Sequence, residues 1–473
     1  MNGQRRSYKG QLCTVRYVGK LPPWGEETAL GVEWDDPSRG KNDGSLNGVS
    51  YFVTKFKGAG SFVKASKPSD EERSFERAMW EKYVSDEGTQ TAVIQVSRSK
   101  FIENVGVEKF HRRQKQLDKL QVASVAHMCV GDSPSTVDMG MLRQLDLGYN
   151  LISNWATVVT ICSRMPRLET LVLNGNRFNP LGETSDHISQ VTEVSLISTM
   201  MPIPEISTLG ALFPNLKTLN LAHNKLNCIE NKHLPFEKLV TLDLSFNEFE
   251  EVPPVAVETL NLSHNSIKSI AGAQLPSQVK VLNVSYCEIS SWDSIDAINE
   301  SNVHTLRING NPFDEDMDDQ EKESRILGRC GKITKLNGQT ISPREREDAE
   351  LYFMSLVAKG QISYNASSQR WKELCAIHGE PASRQEKEEE TTIHSRLVDP
   401  VVTYDGTEKT IQVLKTMTVP KFRATLAKHF KLSPLRVVVK YYQDGEYTVL
   451  EGNRPLNDLN IPLDRFLLEK KSG

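Results

Sequence analysis

A glycine beside a lysine is the first place in these 473 residues where chemistry could sit. Gly40-Lys41-Asn42-Asp43-Gly44 offers an ammonium, a side-chain amide and backbone N–H groups that a glycine leaves open to an anion. A nucleotide loop would read Gly-x-x-x-x-Gly-Lys-Ser/Thr and run into a helix, whereas Asn42 follows Lys41 here and no helical pattern comes after it, so a P-loop is excluded. Cysteines stand singly at 13, 129, 162, 228, 287, 330 and 375, with no Cys-x-x-Cys and no histidine at ligand spacing. That pattern argues against a disulfide framework and a zinc site and fits a reducing compartment, so neither metal nor other cofactor is expected.

The residues around the loop narrow its chemistry. Gly31-Val32-Glu33-Trp34-Asp35 precedes it and Tyr51-Phe52 and Gly60-Ser61-Phe62-Val63 follow, with short β-type runs at Thr14 to Val18, Leu30 to Trp34 and Tyr51 to Val53 between turn residues. Residues 1 to 67 therefore read as a small, strongly bent all-β module, and the five loop residues with both flanks resemble a CAP-Gly domain. The resemblance implies a groove for the acidic, aromatic C-terminal tail of a partner, typically α-tubulin. Lys41 and Asn42 suit a terminal carboxylate, Lys64 adds charge, and Phe62 offers a floor for a ring. Gly40, Asp43 and Gly44 are expected to shape the turn. Where the family usually carries a Trp two residues before the glycine matching Gly31, this chain has Ala29, and Trp24 is expected to fill part of that space. The opening strand is expected to be missing or abbreviated.

Composition limits the alternatives. A formal net charge of −4 gives no general attraction to nucleic acid or to an anionic membrane. No apolar run approaches a spanning length, and Arg5, Arg6 and Lys9 are followed by no apolar core, so no membrane segment or signal peptide is expected.

From Leu120 to Phe313 a second pattern takes over. Leu168-x-x-Leu171-x-Leu173-x-x-Asn176-x-Phe178 recurs from Leu216, Leu239, Leu142, Val257, Val279 and Val303, with weaker copies from Leu120 and Val191. A period of roughly 18 to 26 residues with this consensus is the leucine-rich repeat, each unit giving a short strand and a return segment. Asn150, Asn176, Asn224, Asn247, Asn265 and Asn311 form a column whose amides are expected to satisfy turn backbone, broken by Met128, Thr199 and Cys287. The array is assigned residues 117–313. Strand positions facing the concave surface read Asp146, Val172, Ser195, Asn220, Asp243, Asn261, Asn283 and Arg307. They hold no nucleophile, base and orienter in register, which favours a protein-binding surface, with Asp146, Asp243 and Arg307 as its charged members, over an active site.

The remaining segments connect and close. Residues 68–116 turn charged and helical, with a capping-box-like start at Ser69-Asp70-Glu71-Glu72 before Phe75, Met79 and Tyr83, and are expected to cover the first repeat. Residues 314–377 read as the C-terminal cap, with Ser342 as N-cap and Pro343 opening a helix. Residues 378–397 are a charged linker. Residues 398–473 give a hairpin at Val401 to Tyr404 and Lys409 to Leu414, a helix at Val419 to Phe430, and strands at Val437 to Tyr442, Glu446 to Leu450 and Phe466 to Glu469. That order resembles a ubiquitin-like β-grasp domain, and because the chain ends Ser472-Gly473 rather than Gly-Gly, it is expected to dock rather than to be conjugated.

The fold class is thus multidomain α/β with an all-β N-terminal module. CAP-Gly, leucine-rich repeats and a ubiquitin-like domain in this order resemble the tubulin-folding cofactor E family. That resemblance implies a cytoplasmic, cytoskeleton-associated, non-enzymatic chaperone that binds α-tubulin and acts with cofactors B, C and D in assembly and disassembly of the αβ-tubulin heterodimer. The alternative is a microtubule plus-end or proteasome-linked scaffold, in which the last domain would meet proteasome or ubiquitin-receptor components.

Overall fold

Alternating side chains in the first sixty residues divide one sheet into a buried face and a working face. In the computed structural model, which describes residues 3–84, 95–97, 100–101, 117–133, 137–182, 186–270, 275–314, 317–381, 397–443, 445–459 and 461–470, strands β1 (Arg5–Tyr8), β2 (Gln11–Lys20), β3 (Thr28–Trp34) and β6 (Gly60–Lys64) pair antiparallel in that order. Leu30, Val32 and Trp34 of β3 point into a core with Tyr8, Cys13, Val15 and Val63. The opening strand is therefore present, pairing Arg5 to Tyr8 with Gln11 to Thr14. The expected strand at Tyr51 to Val53 is not: pairing there is confined to β4 (Ser45–Leu46) and β5 (Val49–Ser50). The two rings of Tyr51 and Phe52 lie instead in an irregular stretch, held to the loop by Tyr51 and Phe52 N–H donating to Gly44 O.

The chain forms two compact units, one from residues 1–269 with 273–288, the other from 270–272 with 289–473. In the first, helix Phe75–Tyr83 follows the sheet, capped by Ser74, whose Oγ accepts from Arg77 N. Ser69 to Glu72 do not start it. Asp70 is drawn away instead, accepting from Ser7 Oγ and from the backbone N–H of Lys9 and Gly10. Phe75, Ala78 and Met79 are buried, and the Tyr83 hydroxyl exchanges hydrogen bonds with Ser124 of the first repeat, so this helix seats where a cover was expected. The short pair β7 (Gln95–Ser97) and β8 (Lys100–Phe101) comes next; the rest of the expected connector lies outside the described residues.

Eight parallel strands then stack in register, β9 (Val122–Ser124), β10 (Gln144–Asp146), β11 (Thr170–Val172), β12 (Glu193–Ser195), β13 (Thr218–Asn220), β14 (Thr241–Asp243), β15 (Thr259–Asn261) and β16 (Val281–Asn283). The middle residue of each strand, from Ala123 to Leu282, is almost fully buried. Both weak copies form true rungs. The asparagine column behaves as its chemistry requires: Asn247 Oδ1 accepts from Asn224 N and Leu226 N, while its Nδ2 donates to Leu221 O, Leu244 O and Ser245 O. Where the column breaks, substitutes do part of the same task, Thr199 Oγ1 donating to Leu196 O and Cys287 Sγ to Leu262 O.

The second unit opens with β17 (Thr305–Arg307), parallel to β18 (Lys335–Leu336), which turns back into β19 (Gln339–Thr340). Helix Pro343–Ala358 starts at Ser342, as the sequence predicts, and a reciprocal capping box with Glu345 closes that start. After it come helix Gln369–His378 and, beyond residues outside the described set, a five-stranded mixed sheet. Strand β20 (Leu397–Val398) pairs separately with β23 (Val413–Leu414). The main sheet orders β22 (Thr407–Thr410), β21 (Val401–Tyr404), β26 (Arg465–Lys470), β24 (Val437–Gln443) and β25 (Glu446–Val449), with β21 parallel to β26. The first hairpin thus ends at Thr410, not Leu414. Helix Val419–His429 covers the sheet through Phe422 and Leu426, Phe422 meeting Phe466 edge-on at 4.8 Å.

Candidate functional site: the glycine-lysine loop and its aromatic floor

Lys41 and Asn42 reach the sheet through one residue. Their backbone N–H groups both donate to Gly60 O, at 2.7 and 3.0 Å, and Gly60 N donates back to Asn42 O. Gly60 opens strand β6, so the loop is pinned at the head of the row Gly60, Phe62, Lys64, which pairs across to Glu33, Gly31 and Ala29. Glycines permit this closeness: a Cβ at Gly40 would lie 1.9 Å from Gly58 O, and one at Gly44, where φ is +97°, would lie 2.0 Å from Phe52 O. Asn42 Oδ1 accepts from Gly44 N at 3.0 Å and Asp43 Oδ1 accepts from Ser45 N at 3.1 Å. Hydrogen bonds from Ser45 hold the Asp43 carboxyl below its ordinary value. Gly40, Asp43 and Gly44 lie within this turn, and Asn42 spends its oxygen there, leaving its NH₂ as the group able to donate to a carboxylate.

Below the loop the aromatic rings form a connected cluster. Phe62 meets Tyr51 at 5.6 Å and Phe52 at 5.5 Å, and Tyr51 meets Tyr17 at 5.2 Å, all edge to face. Phe52 is buried while Phe62, Tyr51 and Tyr17 are half-buried. Gly31 makes room for them, since a Cβ there would lie 2.4 Å from the Phe52 ring. The arrangement is a half-exposed aromatic surface beside an exposed lysine, suited to a ring next to an anionic group.

One of the predicted residues, Lys64, behaves differently from expectation. Lys64 Nζ pairs with Glu27 at 2.7 Å, and its bonds to Lys64 and Ser66 hold the Glu27 carboxyl low, so this cation is already engaged. Trp24 sits in the 3-10 turn Pro22–Trp24. The Tyr17 ring lies across Gly19, which is opposite Ala29 in the ladder; a Cβ on Gly19 would be 2.3 Å from the Tyr17 hydroxyl. The Tyr17-x-Gly19 spacing was the sequence signal for this, since residues two apart on a strand share a face. Sequence reasoning also missed Glu33, buried on the same face, which accepts from Arg16 Nε at 2.8 Å and from Lys55 N.

On the array, Asp146 and Asp243 end strands β10 and β14, and their carboxylates are occupied. Asp243 accepts from Ser245 N and Oγ and from Asn261 Nδ2, and Asp146 from Gly148 N and Ser124 Oγ. Arg307, in the second unit, is exposed.

Comparison with known proteins bears on the whole chain. The CAP-Gly domain family matches residues 2–68. Tubulin-specific chaperone E of Homo sapiens is 29% identical over 83% of this chain and 77% of its own length, that of Bos taurus 26% over 93% and 92%, and protein PAC2 of Saccharomyces cerevisiae 25% over 97% and 94%. Over most of its length the chain is similar to tubulin-specific chaperone E, also named tubulin-folding cofactor E. The cofactor E relatives align through the repeats and the C-terminal sheet as well as the first module, so the likeness is not carried by the CAP-Gly segment alone. Among solved structures, the leucine-rich repeat domain of APL1B aligns with 51% of this chain at 14% identity and a TM-score of 0.29. Among the described residues, no helix is long and apolar enough to cross a membrane.

Proposed function

We propose that this chain is a non-enzymatic, cytoplasmic and cytoskeleton-associated tubulin-folding cofactor that binds α-tubulin and acts with cofactors B, C and D on the αβ heterodimer. The observation that carries the reading is the Lys41–Asn42 loop fixed at the head of the Phe62 row, in a chain similar end to end to proteins named for tubulin folding. The acidic C-terminal tail of α-tubulin meets Lys41 and the Asn42 amide, and its terminal ring meets Phe62 and Tyr51. The domain limits 1–67, 68–116, 117–313, 314–377, 378–397 and 398–473 complete the reading, with the last domain a ubiquitin-like docking module. Support for that module is a mixed sheet with β21 and β26 as parallel central neighbours and one helix across it. A pull-down from cytosol with the intact chain tests the whole: α-tubulin should be recovered with other folding cofactors, and its absence refutes the assignment.

The folded body of α-tubulin belongs on the array, because a short groove cannot bury the roughly 1,200 to 2,000 Å² of a stable interface. Arg307→Glu should weaken the complex severalfold with an unchanged melting temperature. Asp243→Lys should weaken it too, but with a lowered melting temperature, since it strips partners from Ser245 and Asn261. Unaltered affinity in both variants would remove the body from this face. Deleting residues 398–473 should leave α-tubulin binding intact and impair a later step such as dimer disassembly; a covalent adduct through Gly473 in cells would overturn the docking role.

A further inference from the structure

The residue just before the asparagine column adopts a left-handed φ in every repeat from His127 to Tyr286, between 54° and 67°. In six of these repeats it is a ring, and the rings stack: His127 on Tyr149 at 4.7 Å, then His223, Phe246, His264 and Tyr286 in succession at 4.3, 4.1 and 4.7 Å, nearly parallel. Between the two stacks the column holds only Gly175 and Ser198. This gap is where the N-terminal module lies. Arg5 reaches Gly175 O and Lys55 Nζ donates to Met200 O at 3.2 Å, beside Arg177 of the array, which donates to Gly175 O and Ser198 O. At the edge of the gap the Lys225 ammonium sits 3.9 Å from the centre of the Phe56 ring.

Beneath these contacts is a buried charge cluster. The Arg5 guanidinium, fully buried, forks onto both oxygens of Asp35 at 2.6 Å, and Arg177 Nε stands 3.9 Å from the same carboxylate. Burial works against the Asp35 charge, yet Arg5 and Arg177 hold its carboxyl below the ordinary value. Tyr51 and Phe52 of the aromatic floor and Lys55 and Phe56 of the seat belong to one short segment, tied to the working face by Lys55 N donating to Glu33. A displacement of the seat is thereby a displacement of the floor.

We propose that Arg177, Lys225, Lys55 and Phe56 are positioning residues that lock the groove onto the repeats, making module and array one receptor that grips the acidic tail and the folded body of the same partner at once. This rests on the tail-binding reading of Lys41. A fixed groove keeps the tail site at high effective concentration once the body is bound, which a loosely tethered module would not.

The experiment compares full-length wild type, Lys225→Ala/Phe56→Ala, Arg177→Ala, Lys41→Ala and the combinations with Lys41→Ala, against α-tubulin and against an isolated tail peptide. Lys225 is exposed and Phe56 half-buried, so the first pair keeps the test valid if Arg177→Ala unfolds, which a thermal melt reports. The seat variants should bind the peptide as wild type does and bind α-tubulin about tenfold more weakly, and in them Lys41→Ala should cost less against α-tubulin than it does in wild type. Unchanged α-tubulin affinity, or full additivity with Lys41→Ala, overturns the lock while leaving the groove intact. A Lys41→Ala peptide titration that matches wild type refutes the groove reading, and the lock with it.

Discussion

Lys41→Ala should weaken binding of an α-tubulin tail peptide by about tenfold or more, since losing a hydrogen bond to a charged group costs roughly 1.5 to 3 kcal/mol. The structure makes this a clean substitution. It is the Lys41 backbone N–H, not its side chain, that holds Gly60 O, so the loop should keep its shape and the melting temperature should not move. Asn42→Ala is not equivalent, because it also removes the acceptor for Gly44 N. With Lys64 engaged by Glu27, Lys41 carries the larger share of the attraction. That attraction is solvent-exposed, so peptide affinity should fall as salt is raised. Removing the terminal aromatic from the peptide should cost further affinity through Phe62 and Tyr51. Equal binding of the two peptides, together with an unaffected Lys41→Ala, would mean the module survives as structure only.

The largest loss of stability should come from Arg370→Ala. Arg370 Nε donates to Gly328 O at 2.9 Å and its NH2 group to Glu350 Oε1 at 2.6 Å, while Glu350 Oε2 lies 2.7 Å from His378 Nε2; Glu350 and Arg370 are about 95% buried. Removing Arg370 takes its shortest ion pair from a buried carboxylate, leaving it His378 and Arg346, and breaking such a buried pair costs about 3 to 5 kcal/mol. The exposed pair Arg143–Glu169, by contrast, should be worth under about 1 kcal/mol. Burial alone would raise the Glu350 carboxyl, but His378 and Arg370 outweigh it and hold it below 4.5. Its contribution is thus complete above about 4.5 and is lost as pH falls through the lower folded value. Denaturant unfolding at neutral pH and near pH 3 should show the Arg370→Ala deficit shrinking in acid. An unchanged midpoint at neutral pH would show the network to be dispensable.

Much of this architecture was legible because it repeats or is local. The leucine period, the asparagine column, the helix start at Ser342-Pro343 and the strands of the C-terminal sheet each follow from residues within one turn or one repeat of one another. The helix start at Ser69 failed for the opposite reason: Asp70 had a better partner in the turn between Ser7 and Gly10, sixty residues earlier in the chain.

By itself, then, the sequence determined which segments become rungs, caps and sheets, and it singled out the Gly40–Gly44 loop, because periodic burial and turn chemistry act over a few residues. Only the tertiary structure decided that Tyr17 lies across Gly19, that Lys64 is taken by Glu27, that Asp243 serves its neighbours, and that Arg5 reaches Gly175. These are pairings between groups each of which had several possible partners, and the choice is made by which surfaces meet once the local elements have formed. Even the gap at Gly175 and Ser198, two small residues in a column of rings, acquires meaning only when the first module is found seated in it.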